Sequence, residues 1–237
     1  MATHPAGPVE TGAAAGLDVV YADEALLILN KPAGLLAVPG RGPDKQDCLS
    51  SRAANVFGQA LVVHRLDMAT SGLIVMARNP AVQRDLAYAF AQRQVSKRYE
   101  AVVTGFDSDG IDHSGPGLWS GSSEWHEIDL PIAADWARRP LRVIDQTTGK
   151  PSLTRWRMLE PWRVSGSMRV ALEPVTGRTH QLRLHMAASG HAILGDTLYA
   201  DQATQALAPR LLLHAGTLGF QHPVRQQPVV FTAPTPF

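Results

Sequence analysis

His64-Arg65-Leu66-Asp67-Met68-Ala69-Thr70-Ser71-Gly72-Leu73 sets a carboxylate close to an arginine, passes through a small-residue turn and enters the apolar run Leu73 to Ala77. A charge beside a buried strand is costly unless it is paired or hydrogen-bonded. Asp67 therefore needs donors, and Arg65, Thr70 and Ser71 are the nearest local candidates. That is the outline of a positioned catalytic acid. An ordinary surface turn with an Arg–Asp ion pair accounts for the same letters equally well, since such pairs are common and contribute little.

Four further places extend the pattern. Lys31-Pro32-Ala33-Gly34-Leu35-Leu36-Ala37-Val38-Pro39-Gly40 follows the strand-like Leu26 to Leu29, and Lys97-Arg98-Tyr99-Glu100-Ala101-Val102-Val103-Thr104-Gly105 is a second such stretch. Pro174 to His185 contains Gly177-Arg178-Thr179-His180-Gln181-Leu182-Arg183, and Gly190 to Asp196 and on to Tyr199 follows it closely. The last is Leu211-Leu212-Leu213-His214-Ala215. With the 64–73 stretch, these resemble the KPxGLxVxP, HRLDxxTSGL, KxYxAxVxG, GRTHQLRxH and GHPILGD elements of RluA-type RNA pseudouridine synthases, in the family's order, with Ala192 where proline is usual. The matches span residues 26 to 237. Within the family, the short N-terminus, Asp135-Trp136 to Arg139-Pro140 and the ending Phe231-Thr232-Ala233-Pro234 look most like the branch that modifies both 23S ribosomal RNA and tRNA.

Composition bounds the class. The 237 residues are 45% hydrophobic with a formal net charge of +1, as in a globular protein with a real core. Residues 1–16 read as a flexible tail without the cationic start or apolar core of a signal peptide, and no run approaches the roughly 18 apolar residues of a membrane span. One cysteine, Cys48, excludes an internal disulfide and points to the cytoplasm; it opens a helix-like stretch and reads as buried packing. Charge is unevenly placed: residues 1–60 hold four basic against six acidic residues, whereas 138–183 hold ten against three. An arginine-rich segment suits phosphate contact and base stacking, although a solvated strand face has the same composition.

Strand-like runs dominate at 17–21, 26–29, 73–77, 99–103, 153–158, 168–172, 211–213 and 229–232. Asn79 with Pro80 reads as the start of a helix through about Gln92, and Thr179 to Ser189 reads as another. Strands that seldom alternate with helices predict an α+β fold. The resemblance implies one pseudouridine synthase catalytic domain over 17–237, a largely antiparallel mixed sheet with flanking helices and a central cleft, and no S4-like RNA-binding domain. Residues 105–125, with Trp119 and Trp125, form a long connection read as a loop insertion, with an RNA-contacting flap as the other reading.

The family's reaction breaks the uridine N1–C1′ bond, rotates the uracil and joins C5 to C1′. It needs no redox agent, and no phosphate loop or metal-ligand spacing is visible: His180 and His185 are five apart rather than four, and no cofactor or metal is expected. The resemblance makes Asp67 the essential catalytic residue, as nucleophile at C1′ or as base at the 2′ position. It makes Arg183 the cation beside Asp67, which His180 at i−3 would help direct, and Tyr99 the ring that stacks on uracil and assists removal of the C5 proton. Arg65 would contact the backbone or fill the space of an extruded base. His64, Lys97, Arg98, Arg178, Arg155 and Arg157 complete the expected RNA-binding and base-flipping set. Arg155 and Arg157 flank Trp156, so on a strand they share a face. The histidines at 64, 180, 185, 191 and 214 otherwise read as hydrogen-bonding supports.

Base flipping is easiest in loops, so the expected partner is an RNA stem-loop of ribosomal RNA, tRNA or both, met by a monomer needing neither membrane nor obligatory protein partner. A protein kinase is excluded because the order of His64 to Asp67 differs from its catalytic loop and no Asp-Phe-Gly follows. A glycoside hydrolase would want a second carboxylate in a strong motif. The remaining rival is a non-catalytic RNA-binding or ribosome-assembly module on the same fold, against which Asp67, Tyr99 and Arg183 together argue.

Overall fold

The computed structural model describes residues 16–106, 111–112, 119–120 and 124–237, so the expected tail and most of the 105–125 connection lie outside the described residues. In chain order the elements are β1 (Val19–Ala22), β2 (Leu26–Lys31), α1 (Leu49–Phe57), β3 (Leu61–Val62), β4 (Ser71–Ala77), α2 (Pro80–Ala91) and β5 (Ser96–Thr104). Then come β6 (Ile111–Asp112), β7 (Trp119–Ser120), β8 (His126–Asp129), β9 (Ile132–Ala134), β10 (Arg142–Ile144), β11 (Leu153–Pro161) and β12 (Ser167–Pro174). The chain ends with α3 (Gln181–Ala188), α4 (Gln202–Ala206), β13 (Leu213–Gln221) and β14 (Pro228–Thr232). It divides into two compact units, 1–97 with 214–236, and 98–213 with 237.

In the first unit β2 and β4 run antiparallel from Leu26↔Ala77 to Lys31↔Gly72, with β1 beyond β2. Both are apolar on both faces because both faces are covered. Leu26, Ile28, Leu73 and Val75 pack with Val82 and Leu86 of α2 and Phe231 of β14, while Leu27, Leu29, Ile74 and Met76 pack with Leu49 and Ala53 of α1. The helix starts are written in the sequence: Asn79 accepts a hydrogen bond from Val82 N at 2.9 Å ahead of Pro80, and the Cys48 thiol caps α1 by accepting from Ser51 N. Cys48 is buried, as read.

β13 pairs with β4 in parallel at His214↔Ser71 and Ala215↔Gly72, and with β14 antiparallel. The sequence reading ends this strand at Leu213, where the structure begins it; Gly216 and Gly219 dilute the apolar and β-branched signal of the real strand. Gly72 is demanded by the same pairing. Its φ is +117°, and a Cβ there would sit 2.4 Å from the Ala215 carbonyl oxygen.

The second unit is built on antiparallel strands in the order β5-β12-β11-β8, with the hairpin β9–β10. Tyr99, Leu172, Trp156 and His126 are successive cross-strand partners and share one face. By alternation Arg98, Arg155 and Arg157 lie on the opposite face. The expected helix at 179–189 is shorter, because His180 takes a left-handed φ of 58° and starts α3 at Gln181. Within each unit the strand pairs among the described residues are antiparallel except β4–β13, in agreement with the expected α+β class. Among the described residues no helix is long and apolar enough to cross a membrane.

Candidate active site

The first unit presents Asp67 on a tight turn. Thr70 N donates to the Asp67 carbonyl at 3.1 Å, and Gly34 N donates to the Met68 carbonyl at 2.8 Å. Beneath this turn lies Lys31, fully buried, whose Nζ donates to the carbonyls of Pro32 and Leu35, each at 2.8 Å, and of Met68 at 3.1 Å. Three carbonyls take the three ammonium protons. Burial pushes the Lys31 pKa down to about 8, and the negative charge of Asp67 opposes the shift. Lys31 thus joins the KPxGL stretch to the Asp67 turn and supplies the positive charge in that turn's field. The sequence places Lys31 in its motif without giving it a role; the signal is a lysine ending a strand that opens with four apolar residues.

Of the local donors expected for Asp67, Ser71 has its hydroxyl 3.0 Å from His214 Nδ1, and both residues are buried. Arg65 is exposed at the lip of the turn. His64, expected at the RNA surface, has a structural task. β3 reaches β4 only at Ala77 and Met76 and β13 only at Ser71 and Gly72; between them His64 Nε2 accepts from Val75 N at 3.1 Å, and the ring stacks on Phe90. Burial, with a smaller contribution from the charge of Lys97, pushes the His64 pKa down to about 3, so the ring is neutral and holds this acceptor at ordinary pH. Lys97 is itself lowered by burial.

The second unit presents Tyr99 and Arg183. Arg183 in α3 is 3% exposed, and its guanidinium grips Asp196 with Nε to Oδ2 at 2.8 Å and Nη2 to Oδ1 at 2.5 Å, beside the Tyr199 ring. Asp196 Oδ1 also accepts from Leu198 N and Tyr199 N. His180, expected one helical turn before Arg183, is the left-handed residue at the start of α3, and its Nδ1 lies 2.8 Å from the Tyr199 hydroxyl. Asp196 and Tyr199 orient the arginine, and the sequence alone assigns neither a role. Gly195, φ +73°, keeps this corner close: a Cβ would lie 1.9 Å from the Arg210 carbonyl oxygen.

The rest of the GRTHQLRxH stretch welds α3 to β11. Gln181 Oε1 accepts from Thr176 Oγ1 and Arg178 N, and its Nε2 donates to Leu153 O and Thr154 Oγ1. His185 sits 2.9 Å from both Thr154 Oγ1 and Leu130 O, with its pKa lowered by burial. Arg178 is exposed. Arg98, Arg155 and Arg157 gather round Trp125 at 5.6, 5.3 and 5.0 Å from its centroid. Arg98 pairs with Glu173 at 2.8 Å, and Arg155 lies 3.7 Å from both Glu127 and Glu173. Among the described residues no three His, Cys, Asp or Glu are grouped to hold a metal ion.

Known proteins share this arrangement of elements. Residues 25–188 match the RNA pseudouridylate synthase family. The dual-specificity RNA pseudouridine synthase RluA of Escherichia coli strain K12 is 42% identical over 221 residues, 93% of this chain and 94% of its own; that of Haemophilus influenzae is 41% identical over the same shares. The solved structure of human RNA pseudouridylate synthase domain containing 1 superposes with a TM-score of 0.74 at 28% identity, covering 97% of this chain and 87% of its own. Matched in sequence and in fold over most of its length, the chain belongs to the RNA pseudouridylate synthase family, isomerases that convert uridine in RNA to pseudouridine.

Proposed function

We propose that this protein acts, as a cytoplasmic monomer without a cofactor, on specific uridines in stem-loops of 23S ribosomal RNA, of tRNA, or of both. Asp67 is the group that opens the glycosidic bond, and the observation that carries this role is the clamp of Lys31 on the Asp67–Met68 turn. A carboxylate at a fixed position in the field of a buried cation is prepared either to attack C1′ or to take the 2′ proton. Breaking N1–C1′ leaves the uracil as a bound leaving group; after rotation C5 joins C1′, the C5 proton departs, N1 gains one, and the atoms balance. Tyr99 offers a ring to stack on the base and a hydroxyl to pass that proton, while Arg183, fixed by Asp196, is the cation that keeps Asp67 ionised. Arg65 fills the stack that the flipped base leaves, at a flipping cost on the order of a few kcal/mol. Lys97 and Arg178 steer the phosphate chain. Arg98, Arg155 and Arg157, on the sheet face opposite Tyr99, reach the flanking stem rather than the reacting nucleotide.

The substrate class is tested by offering the protein a tRNA anticodon stem-loop, a 23S hairpin, and the same loop sequences without stems, and quantifying pseudouridine by nucleoside chromatography. Product from one or both stem-loops, with little from the linear strands, is the expected result; equal product from linear strands would overturn the stem-loop reading.

A further inference from the structure

The β9–β10 hairpin carries a tip for which the catalytic assignments have no use. Residues 135–141 bridge Ala134↔Arg142, and the tip displays Trp136 at 73% exposure, with the Arg139 guanidinium over its ring at 3.8 Å from the centroid. A large aromatic left in water forfeits the burial that ordinarily justifies it. The tip is nonetheless well ordered by its own bonds. Asp135 accepts from Arg138 N at 3.0 Å and from Arg138 Nε at 2.7 Å, Asp135 N donates to Leu141 O, and Leu141 N donates to Arg138 O. Its root is tied on both strands: Ile132 exchanges backbone hydrogen bonds with Lys150, and Arg142 N donates to the Tyr199 hydroxyl at 3.0 Å. Tyr199 packs on Arg183, and its backbone N–H is held by Asp196. The hairpin and the arginine that serves the reaction therefore share one support.

We propose that the Trp136–Arg139 tip is a nucleotide-binding element of this protein, on which an unpaired base of the RNA stacks against the indole while Arg139 meets an adjacent phosphate. The inference rests on RNA being the substrate and goes beyond it by naming a contact outside the reacting nucleotide. Arg139 covers one face of the indole, leaving the other for a base, and as an exposed residue it offers planar donors that a phosphate oxygen can take. The neighbourhood suits RNA rather than a protein partner. Asp135, the acidic residue of the tip, is committed to Arg138, and the other exposed tip residues, Ala137 to Pro140, offer no further large apolar side chain. One aromatic with two arginines is the composition of a single-strand stacking platform, which tolerates any base because every base has a π-face. Anchorage through Tyr199 places such a contact at a fixed reach from Arg183, so the tip selects RNAs whose loop can reach both.

The test uses the full-length protein and a uridine-containing stem-loop. Trp136→Ala is expected to raise Kd by about 5- to 150-fold, the span of one missing base stack, with the slope of log K against log salt unchanged. Trp136→Phe recovers most of the affinity. Arg139→Gln is expected to weaken binding and to flatten the slope by about 0.7, one single-strand phosphate contact. kcat at saturating RNA and the thermal unfolding midpoint stay at the wild-type values in all three. Wild-type affinity in Trp136→Ala, or a loss accompanied by a lowered unfolding midpoint that Trp136→Phe does not correct, would overturn the proposal. Absence of pseudouridine from the wild-type protein itself would strike the catalytic reading instead.

Discussion

Lys31 shows how much one residue decides. Its pKa of about 8, against an ordinary 10.5, means that the folded protein binds fewer protons than the unfolded chain between those values. Stability contributed by this group therefore rises with pH across that window, the penalty of a buried cation being fully present below it. Function runs the other way: above about pH 8 the neutral amine loses one of three donated hydrogen bonds and the positive charge that faces Asp67. The rate of pseudouridine formation is expected to fall through an apparent pKa near 8 while the unfolding midpoint does not fall with it. Lys31→Met, similar in length but uncharged, removes that limb and lowers the rate at neutral pH. A rate profile of Lys31→Met superposing on the wild type would show that Lys31 does not act on Asp67. Asp67 is singled out by the letters alone. Lys31 is not, because only the fold brings the end of β2 under a turn that comes much later in the chain. His64, placed in the RNA-binding set and also read as a hydrogen-bonding support, does the second of these: its Nε2 accepts from Val75 N of β4.

At the level of elements, the apolar runs of β2 and β4, the Asn79-Pro80 helix start and the shared face of Arg155 and Arg157 are all visible, since local spacing writes them directly. β13 reads short because its glycines serve close backbone approach rather than strand propensity. The parallel β4–β13 pairing depends on Gly72 in particular. Gly72→Ala combines a positive φ with a methyl 2.4 Å from the Ala215 carbonyl oxygen and is expected to cost on the order of 3 kcal/mol in denaturant unfolding. Because β4 begins where the Asp67 turn ends, activity falls with it. An unchanged unfolding midpoint would mean that the pairing of β4 with β13 is not the constraint on this position.

Over the whole chain, a net charge of +1 hides the arginine-rich 138–183 segment, and the fold tempers that excess. Arg169 is paired with Glu100 and Glu160, whereas Arg155 is only loosely held, at 3.7 Å from its acidic neighbours. Composition cannot show such cross-strand neutralisation, since Glu100 and Glu127 come from outside the segment. Arg155→Gln with Arg157→Gln is expected to lower RNA affinity and to flatten its salt dependence by about 0.7 for each phosphate no longer engaged, with kcat at saturation unchanged. An unchanged slope would remove this sheet face from the RNA footprint. Nor is the division into two units legible, because its crossings fall inside β5 and β13, where composition does not change.

The role proposed for Asp67 is in the chemistry and not in the binding. It is tested most directly with a stem-loop carrying tritium at uridine C5, by following tritium release, pseudouridine yield and RNA affinity for the wild type and Asp67→Asn. Release in step with pseudouridine is expected for the wild type, and neither from Asp67→Asn, whose Kd stays within a few-fold because the change is nearly isosteric. Pseudouridine formed by Asp67→Asn at a rate near that of the wild type would contradict it.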